Sequence, residues 1–297
     1  PGISSAASDV YKRQIINTAI QNAFLDLKKK NIKSALLDCE ILMSKALNLH
    51  RSKVILNLDR HLKNKDYKVF KELITSRLKN KPIAYLIGKK SFWKYEFEIN
   101  DKVLIPRPDT ELIIEQVLDF YKNKHNINFL EIGVGSGCII LSILKEKKSF
   151  YGKGVDLSKD SIKICKKNAK NLNVSNRLKL FKSDIDNFNL GKYDLIISNP
   201  PYIKKFDLKN LDKDVFNYEP KLALDGGLDG LSEIRKVVRL SSELIKLNGK
   251  LIIEIAHDQK EMVKKMLNDN GFYVNKVAKD LANKNRCIVS TKIKFIN

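Results

Sequence analysis

The chain of 297 residues is 43% hydrophobic and carries a formal net charge of +22, with enough apolar content for the core of one large globular domain or two. No uninterrupted apolar run approaches the roughly 18 residues that a membrane-spanning helix needs, and no basic segment leads into a signal-like apolar stretch, so no membrane association and a cytoplasmic location are expected. Cys39, Cys138, Cys165 and Cys287 form no Cys-x-x-Cys pair and His50, His61, His125 and His257 form no ligand spacing, which argues against zinc or any other metal and against a disulfide framework.

Residues 1–13 are Ser/Ala-rich, unlike the Lys, Ile and Asn texture that follows, and read as a non-native or disordered leader. From 14 to 85 the pattern is helical. Ile15, Ile16, Ala19, Ile20, Ala23, Phe24 and Leu27 recur at i, i+3, i+4, i+7 spacing, and similar groups follow at 35–47, 54–56 and 69–78. Four or so short helices separated by Lys/Asn turns predict a small bundle. Nothing in it looks catalytic, so it reads as a docking module for a substrate or as a passive cap.

Residues 86–105 change texture. Gly88 punctuates, and the aromatic-rich, partly alternating run from Ser91 to Ile99, closed by Val103-Leu104-Ile105, reads as a β-hairpin linker. Ile105-Pro106-Arg107-Pro108-Asp109-Thr110-Glu111 then opens the domain that runs from 106 to 297. Proline and acidic residues suit the first turn of a helix, but capping does not require Arg107 between two prolines.

Beyond Asn126 strands and helices alternate. Strands are expected at 127–132, 150–155, 178–182, 194–198, 250–255, 272–278 and 286–293, and helices at 138–144, 159–171, 231–247 and 258–268, with a long loop after Tyr202. Such alternation predicts an α/β fold with a mainly parallel seven-stranded sheet, Rossmann-like, and a ligand beyond the carboxyl ends of the strands.

The strand ends carry the chemistry. Gly133-Val134-Gly135-Ser136-Gly137 lets backbone approach a ligand and opens a helix, and its spacing, with Cys138 where a dinucleotide fingerprint wants Gly or Ala, suits a nucleoside without a pyrophosphate. Asp156 is placed to accept both ribose hydroxyls. Asp184 either accepts from an adenine amine or forms a strand-end Asx turn. Asn199-Pro200-Pro201-Tyr202 ends the fourth strand. Two residues of fixed φ hold an amide side chain and a prolyl carbonyl side by side, with an aromatic face next to them. Those two acceptors suit a planar NH2 group whose lone pair is tied up by conjugation, as in a carboxamide or an exocyclic adenine amine. A nucleoside site beside an NH2-acceptor pair describes S-adenosylmethionine and a nitrogen methyl acceptor, with no nucleophilic Ser, Cys or His required.

Assembled, these residues resemble the protein-(glutamine-N5) methyltransferases of the PrmC/HemK family, which modify the Gly-Gly-Gln loop of class I peptide chain release factors. The resemblance runs from about Ile15 to the C-terminus. It rests on the helical front domain, Phe92-Trp93, Ile105–Glu111, Gly133–Gly137, Asp156, Asn199–Tyr202 and the loop Tyr218-Glu219-Pro220 to Leu224-Asp225-Gly226-Gly227-Leu228-Asp229-Gly230-Leu231. It implies a class I methyltransferase fold and an S-adenosylmethionine site formed by Gly133–Gly137, Asp156, Asp184, Ile185 and Asn199. It further implies a catalytic group of Asn199, Pro200 and Tyr202, with Pro201, Arg107 and Glu219 joining them in binding the protein substrate. Two positions depart from the family pattern: Glu131 stands for the usual Asp, keeping its charge, and Ile185 for a frequent Trp. Ile offers no aromatic face to adenine, which bears on cofactor affinity and leaves the reaction class untouched.

Two alternatives share the strand-end chemistry: a ribosomal-protein glutamine methyltransferase and an adenine-N6 nucleic-acid methyltransferase. The charge favours the latter, but lysines outnumber arginines 47 to 9 and are spread along the chain, as compositional drift would leave them. There is no separate target-recognition insertion and no basic-aromatic interleaving, which argues against direct nucleic-acid binding.

Overall fold

The structure is a computed structural model that describes residues 14–294, so the leader expected at 1–13 lies outside the described residues. The chain forms two compact units that divide between Gly88 and Lys89.

In the first unit, α1 (Ile16–Lys29), α2 (Ala35–Leu47), α3 (Arg51–Ile55), α4 (Asn64–Leu78) and α5 (Ile83–Ile87) enclose a core that includes Ile20, Leu27, Leu42, Val54 and Phe70. The short α5 lies in the stretch between Pro82 and Gly88, where five residues give no readable period; Gly88 ends it in the left-handed region. One ion pair is buried in this unit. Asp38 on α2 accepts from Arg77 Nε on α4 at 2.7 Å, and Arg77 also donates to the Lys81 carbonyl at 3.2 Å.

The second unit begins with the antiparallel hairpin β1 (Lys89–Phe92) and β2 (Tyr95–Glu98). Trp93 takes a φ of 56° in its turn, unusual for a bulky residue. The conformation is held because Trp93 N donates to Glu111 Oε1 at 2.7 Å and its indole to Glu146 Oε1 at 2.9 Å. Phe92 and Phe97 are buried in the core of the second unit, so the hairpin is part of it. Then follow α6 (Glu111–Phe120), β3 (Asn128–Ile132), α7 (Cys138–Glu146), β4 (Tyr151–Asp156), α8 (Lys159–Asn171), β5 (Leu178–Lys182), β6 (Tyr193–Ser198), α9 (Lys213–Tyr218), α10 (Ser232–Leu244), β7 (Ile245–Glu254), α11 (Lys260–Asp269), β8 (Phe272–Lys279) and β9 (Asn285–Lys292).

The sheet runs β5-β4-β3-β6-β7-β9-β8. Strands β3 to β7 pair in parallel, while β9 is antiparallel to both β7 and β8. Alternate residues serve opposite faces: Phe129, Leu195, Ile197 and Ile252 pack with α6 and α7, and Leu130, Ile196, Leu251 and Ile253 with α10 and α11. Burial on both faces is why these strands read as nearly continuous apolar runs. The α/β class and the seven-stranded, mainly parallel sheet expected from the sequence are borne out. Among the described residues no helix is long and apolar enough to cross a membrane.

Two local readings change. The helix expected to reach 247 ends at Leu244, because the fully buried Ile245 is drawn into the sheet beside Tyr193. The long loop after Tyr202 contains α9 and folds back on its start: Ile203 bridges Asp225, and Gly226 N donates to the Ile203 carbonyl at 2.8 Å.

Candidate active site

The chain reverses direction across the sheet at β3, whose neighbours are β4 on one side and β6 on the other. A ligand crevice belongs at the carboxyl ends there. Register brings the strand ends level: Ile132 pairs with Val155 and with Ser198, and Ser198 pairs with Ile253. The next residue of each strand is therefore Gly133, Asp156, Asn199 and Glu254.

A cavity of about 940 Å³ opens at this edge. Gly133, Val134, Gly135, Ser136, Asp156, Asp184, Ile185, Asn199, Pro200, Pro201 and Arg107 line it. Those residues, far apart in the chain, are brought together. Gly137, Tyr202 and Glu219 do not line it, and each has another position. Gly137 caps α7 with a φ of 83°, and a Cβ there would stand 2.6 Å from Cys165 Sγ, so this glycine permits helix packing and not ligand contact. At Gly135, by contrast, an added Cβ would meet nothing within 4 Å. That backbone faces open space.

Asp156 is part-buried, and desolvation pushes its pKa up against the N–H donors that hold it. Its Oδ2 accepts from Gly135 N at 2.9 Å and its Oδ1 from Ser158 N at 2.8 Å, which fixes the carboxylate and leaves each oxygen a further lone pair. Asp184 forms the Asx turn, its Oδ1 accepting from Asp186 N at 3.1 Å, while still bordering the cavity. Glu131, 1% exposed, borders the cavity just before the glycine loop and accepts from Ile140 N at 2.9 Å. Desolvation, with Asp156 nearby, raises its pKa well above the usual carboxylate range.

Asn199 Nδ2 donates to Thr110 Oγ1 at 3.1 Å. With both amide hydrogens on the nitrogen, Oδ1 is the acceptor left for the cavity beside Pro200. The backbone after the prolines is clamped: Gln259 Nε2 donates to the Tyr202 carbonyl at 3.2 Å and to the Gly230 carbonyl at 2.9 Å. Gly226 and Gly230 allow the loop to press on it, since a Cβ at Gly226 would lie 2.8 Å from Tyr202 Cα. The Tyr202 hydroxyl donates to Glu254 Oε1 at 3.2 Å, which anchors the ring behind the cavity wall. Glu219 accepts from Ile105 N at 3.1 Å and from Arg107 Nη2, tying the Arg107 segment to the loop after α9. Sequence reasoning passed over Thr110, Glu254, Gln259 and Arg286 as site residues. Arg286 reaches Asp109 at 3.3 Å and Asp280 at 2.9 Å, bracing the same corner.

Open glycine backbone, a braced carboxylate at the end of β4 and an apolar wall fit an adenosine-type methyl donor. The fold and this edge define a Rossmann-like methyltransferase. A solved methyltransferase from Pyrococcus furiosus shares the fold, with a TM-score of 0.52 and 17% identity over 74% of this chain and 98% of its own. The family models for the PrmC N-terminal domain and the methyltransferase small domain match residues 18–88 and 109–222. A release factor glutamine methyltransferase of Caulobacter vibrioides is 31% identical over 90% of this chain and 92% of its own length, and one of Fusobacterium nucleatum 35% identical over 90% and 76%. A bifunctional methyltransferase of Rickettsia conorii is 33% identical over 94% of this chain, which spans 58% of that longer protein. The chain belongs to the release factor glutamine methyltransferase family.

Proposed function

We propose that this protein transfers the methyl group of S-adenosylmethionine to the side-chain amide nitrogen of the glutamine in the Gly-Gly-Gln loop of class I release factors, in the cytoplasm. The observation that carries the reading is Asn199, which lines the cavity together with Pro200 while its nitrogen donates to Thr110, so that Oδ1 is the acceptor it has left to offer. In this reading Gly133–Ser136 would lend backbone to the cofactor, Asp156 would hold its ribose hydroxyls, and Asp184 and Ile185 would border its adenine. When bound, S-adenosylmethionine supplies a sulfonium-activated methyl group, so that N–C bond formation and C–S cleavage leave a thioether, an N-methyl amide and one proton for solvent.

The protein residues do the rest. Asn199 Oδ1 and the Pro200 carbonyl accept the two N–H groups of the acceptor amide, which orients the nitrogen and favours its pyramidal, nucleophilic form. The proline pair and the Gln259 clamp keep those oxygens from relaxing away. Arg107, held by Glu219, presents its exposed edge to the substrate's backbone at the cavity rim. The helical unit of α1 to α5 serves to dock the protein substrate.

The test is transfer of labelled methyl from S-adenosylmethionine, offered separately to release factor, a release factor lacking the loop glutamine, ribosomal proteins and DNA. Label on release factor that vanishes with the glutamine supports the reading. Label confined to ribosomal protein or DNA contradicts it. Ile185→Trp is expected to tighten S-adenosylmethionine binding severalfold, because a stacked aromatic pair adds about 0.5–1.5 kcal/mol beyond area burial. Calorimetric titration checks this, and unchanged or weaker binding would remove Ile185 from the adenine wall.

A further inference from the structure

The first residues of β3, β4, β5 and β6 border a second cavity, of about 610 Å³, at the end of the sheet opposite Asp156 and Asn199. Lys153, Arg177, Lys179 and Lys192 line it, and among the described residues no carboxylate does. Lysines such as Lys236 and Lys246 meet an acid, Glu233 and Asp194 respectively. Among the described residues neither Lys153 nor Lys179 is in such a pair.

Lys153 stands in the interior strand β4, where a sheet covered on both faces favours apolar residues. Added Cβ atoms at Gly152 and Gly154 would lie 3.1 Å from Ile140 Cδ1 and 2.5 Å from Val134 Cγ1, so those glycines pack on one face and alternation turns the half-buried Lys153 to the other. There its Nζ lies 5.5 Å from the centroid of the Tyr193 ring, a contact that holds the ammonium in place and leaves its charge uncancelled. Register sets Lys179 of β5 directly beside it, on strands about 4.8 Å apart. Like charges so placed destabilise a sheet. Arg177 adds a third charge. Its guanidinium donates to the carbonyls of Leu144, Lys147 and Phe150 at 2.6, 3.0 and 3.1 Å, which orients it without supplying a counter-ion. Lys192 donates to the Glu243 carbonyl.

A bound anion would relieve the repulsion between the two lysines. We propose that this cavity is a second ligand site, separate from the one at the carboxyl ends, and that it takes the phosphate of a nucleotide between Lys153 and Lys179. Phosphate oxygens accept short, charge-assisted hydrogen bonds from ammonium groups. The volume falls within the range of small-molecule sites, about 300–1,000 Å³. The exposed Tyr151 offers an aromatic face to a base, and Ser175 and Asn176 offer polar groups to a sugar. A free nucleotide and a strand of RNA carry the same phosphate chemistry. The site is independent of which acceptor receives the methyl group.

Calorimetric titration of the full chain with cytidine diphosphate and, separately, with a short oligocytidine RNA tests this; neither carries the adenosine that the other cavity would take. The wild type should bind, and more weakly as salt is raised. Lys153→Gln and Lys179→Gln should each weaken binding by about tenfold, the size of one lost charge-assisted hydrogen bond. Binding of cytidine diphosphate identifies a free nucleotide as the source of the phosphate, and binding of the RNA alone identifies a strand. Lys179→Glu should abolish binding and, with no ligand present, raise the midpoint of thermal unfolding, because a carboxylate beside Lys153 replaces repulsion with attraction. A wild type that binds neither probe, affinity unchanged in both Lys→Gln variants, or a lowered midpoint in Lys179→Glu overturns the proposal.

Discussion

Replacing Asn199 with alanine is expected to reduce kcat by between about a hundredfold and a thousandfold while S-adenosylmethionine affinity changes by no more than a few fold. That range is the loss seen when one preorganised polar group is removed from a reacting centre. The separation follows from where Asn199 sits. It faces the cavity from the end of β6, whereas Gly133–Ser136 and Asp156 lie at the ends of β3 and β4 and are braced by bonds that do not involve it. Asn199→Asp keeps an acceptor but replaces the amide nitrogen that donates to Thr110 Oγ1 with a carboxylate oxygen, so it should fall between alanine and wild type. Single-turnover kinetics alongside equilibrium cofactor binding separates the two quantities. Equal losses in both would place Asn199 in the cofactor site and not at the acceptor.

The largest effect on stability is expected in the helical unit. Asp38→Ala leaves the Arg77 guanidinium buried with, among the described residues, the Lys81 carbonyl to accept from it. Breaking a buried pair by removing one partner costs about 3–5 kcal/mol, because the remaining charge keeps its desolvation penalty. This pair joins α2 to α4 and to the turn before α5, so the loss should appear as weakened hydrogen-exchange protection across 35–47 and 64–78 and as an earlier transition in denaturant. A change below about 1 kcal/mol, the range of exposed pairs, would mean that water reaches Arg77 readily. Methyl transfer chemistry sits on other elements, and cofactor affinity should not change.

Much of the fold was legible because each signal had one physical cause. Strands β3 and β6 announce themselves as largely apolar runs closed by Gly133 and Asn199, since a strand covered on both faces keeps few polar residues until it reaches the sheet edge, whereas β4 and the part-exposed β5, which carry Lys153 and Lys179, are marked chiefly by Asp156 and Ser183-Asp184 at their ends. The short α5 and α9 gave no such signal: five or six residues span too little of a helical period, and α9 is rich in polar residues. The end of α10 was misread because Ile245 continues the helical period while the sheet claims it.

The cavity's glycine backbone, Asp156, Asn199 and the prolines were likewise visible, being local motifs at strand ends. Glu254 carried the same signal, an acidic residue closing a strand, and that rule applied to β7 would have found it. Thr110 was in view within the Pro108-Asp109-Thr110 turn, but its partner is chosen by sheet register and not by sequence distance. Tyr202 shows the limit of motif reading. Its neighbours Pro200 and Pro201 point the backbone at the cavity, while its ring is turned away toward Glu254 by a hydrogen bond that only the folded sheet supplies.

The central claim is that Asn199 and Pro200 present two oxygens to an unreactive amide. The most direct measurement is a crystal structure of the full chain with S-adenosylhomocysteine and a peptide carrying Gly-Gly-Gln. The account predicts the glutamine nitrogen within hydrogen-bond reach of both Asn199 Oδ1 and the Pro200 carbonyl. A bound glutamine whose amide lies elsewhere, or an Asn199 that turns its nitrogen to it, would contradict the account.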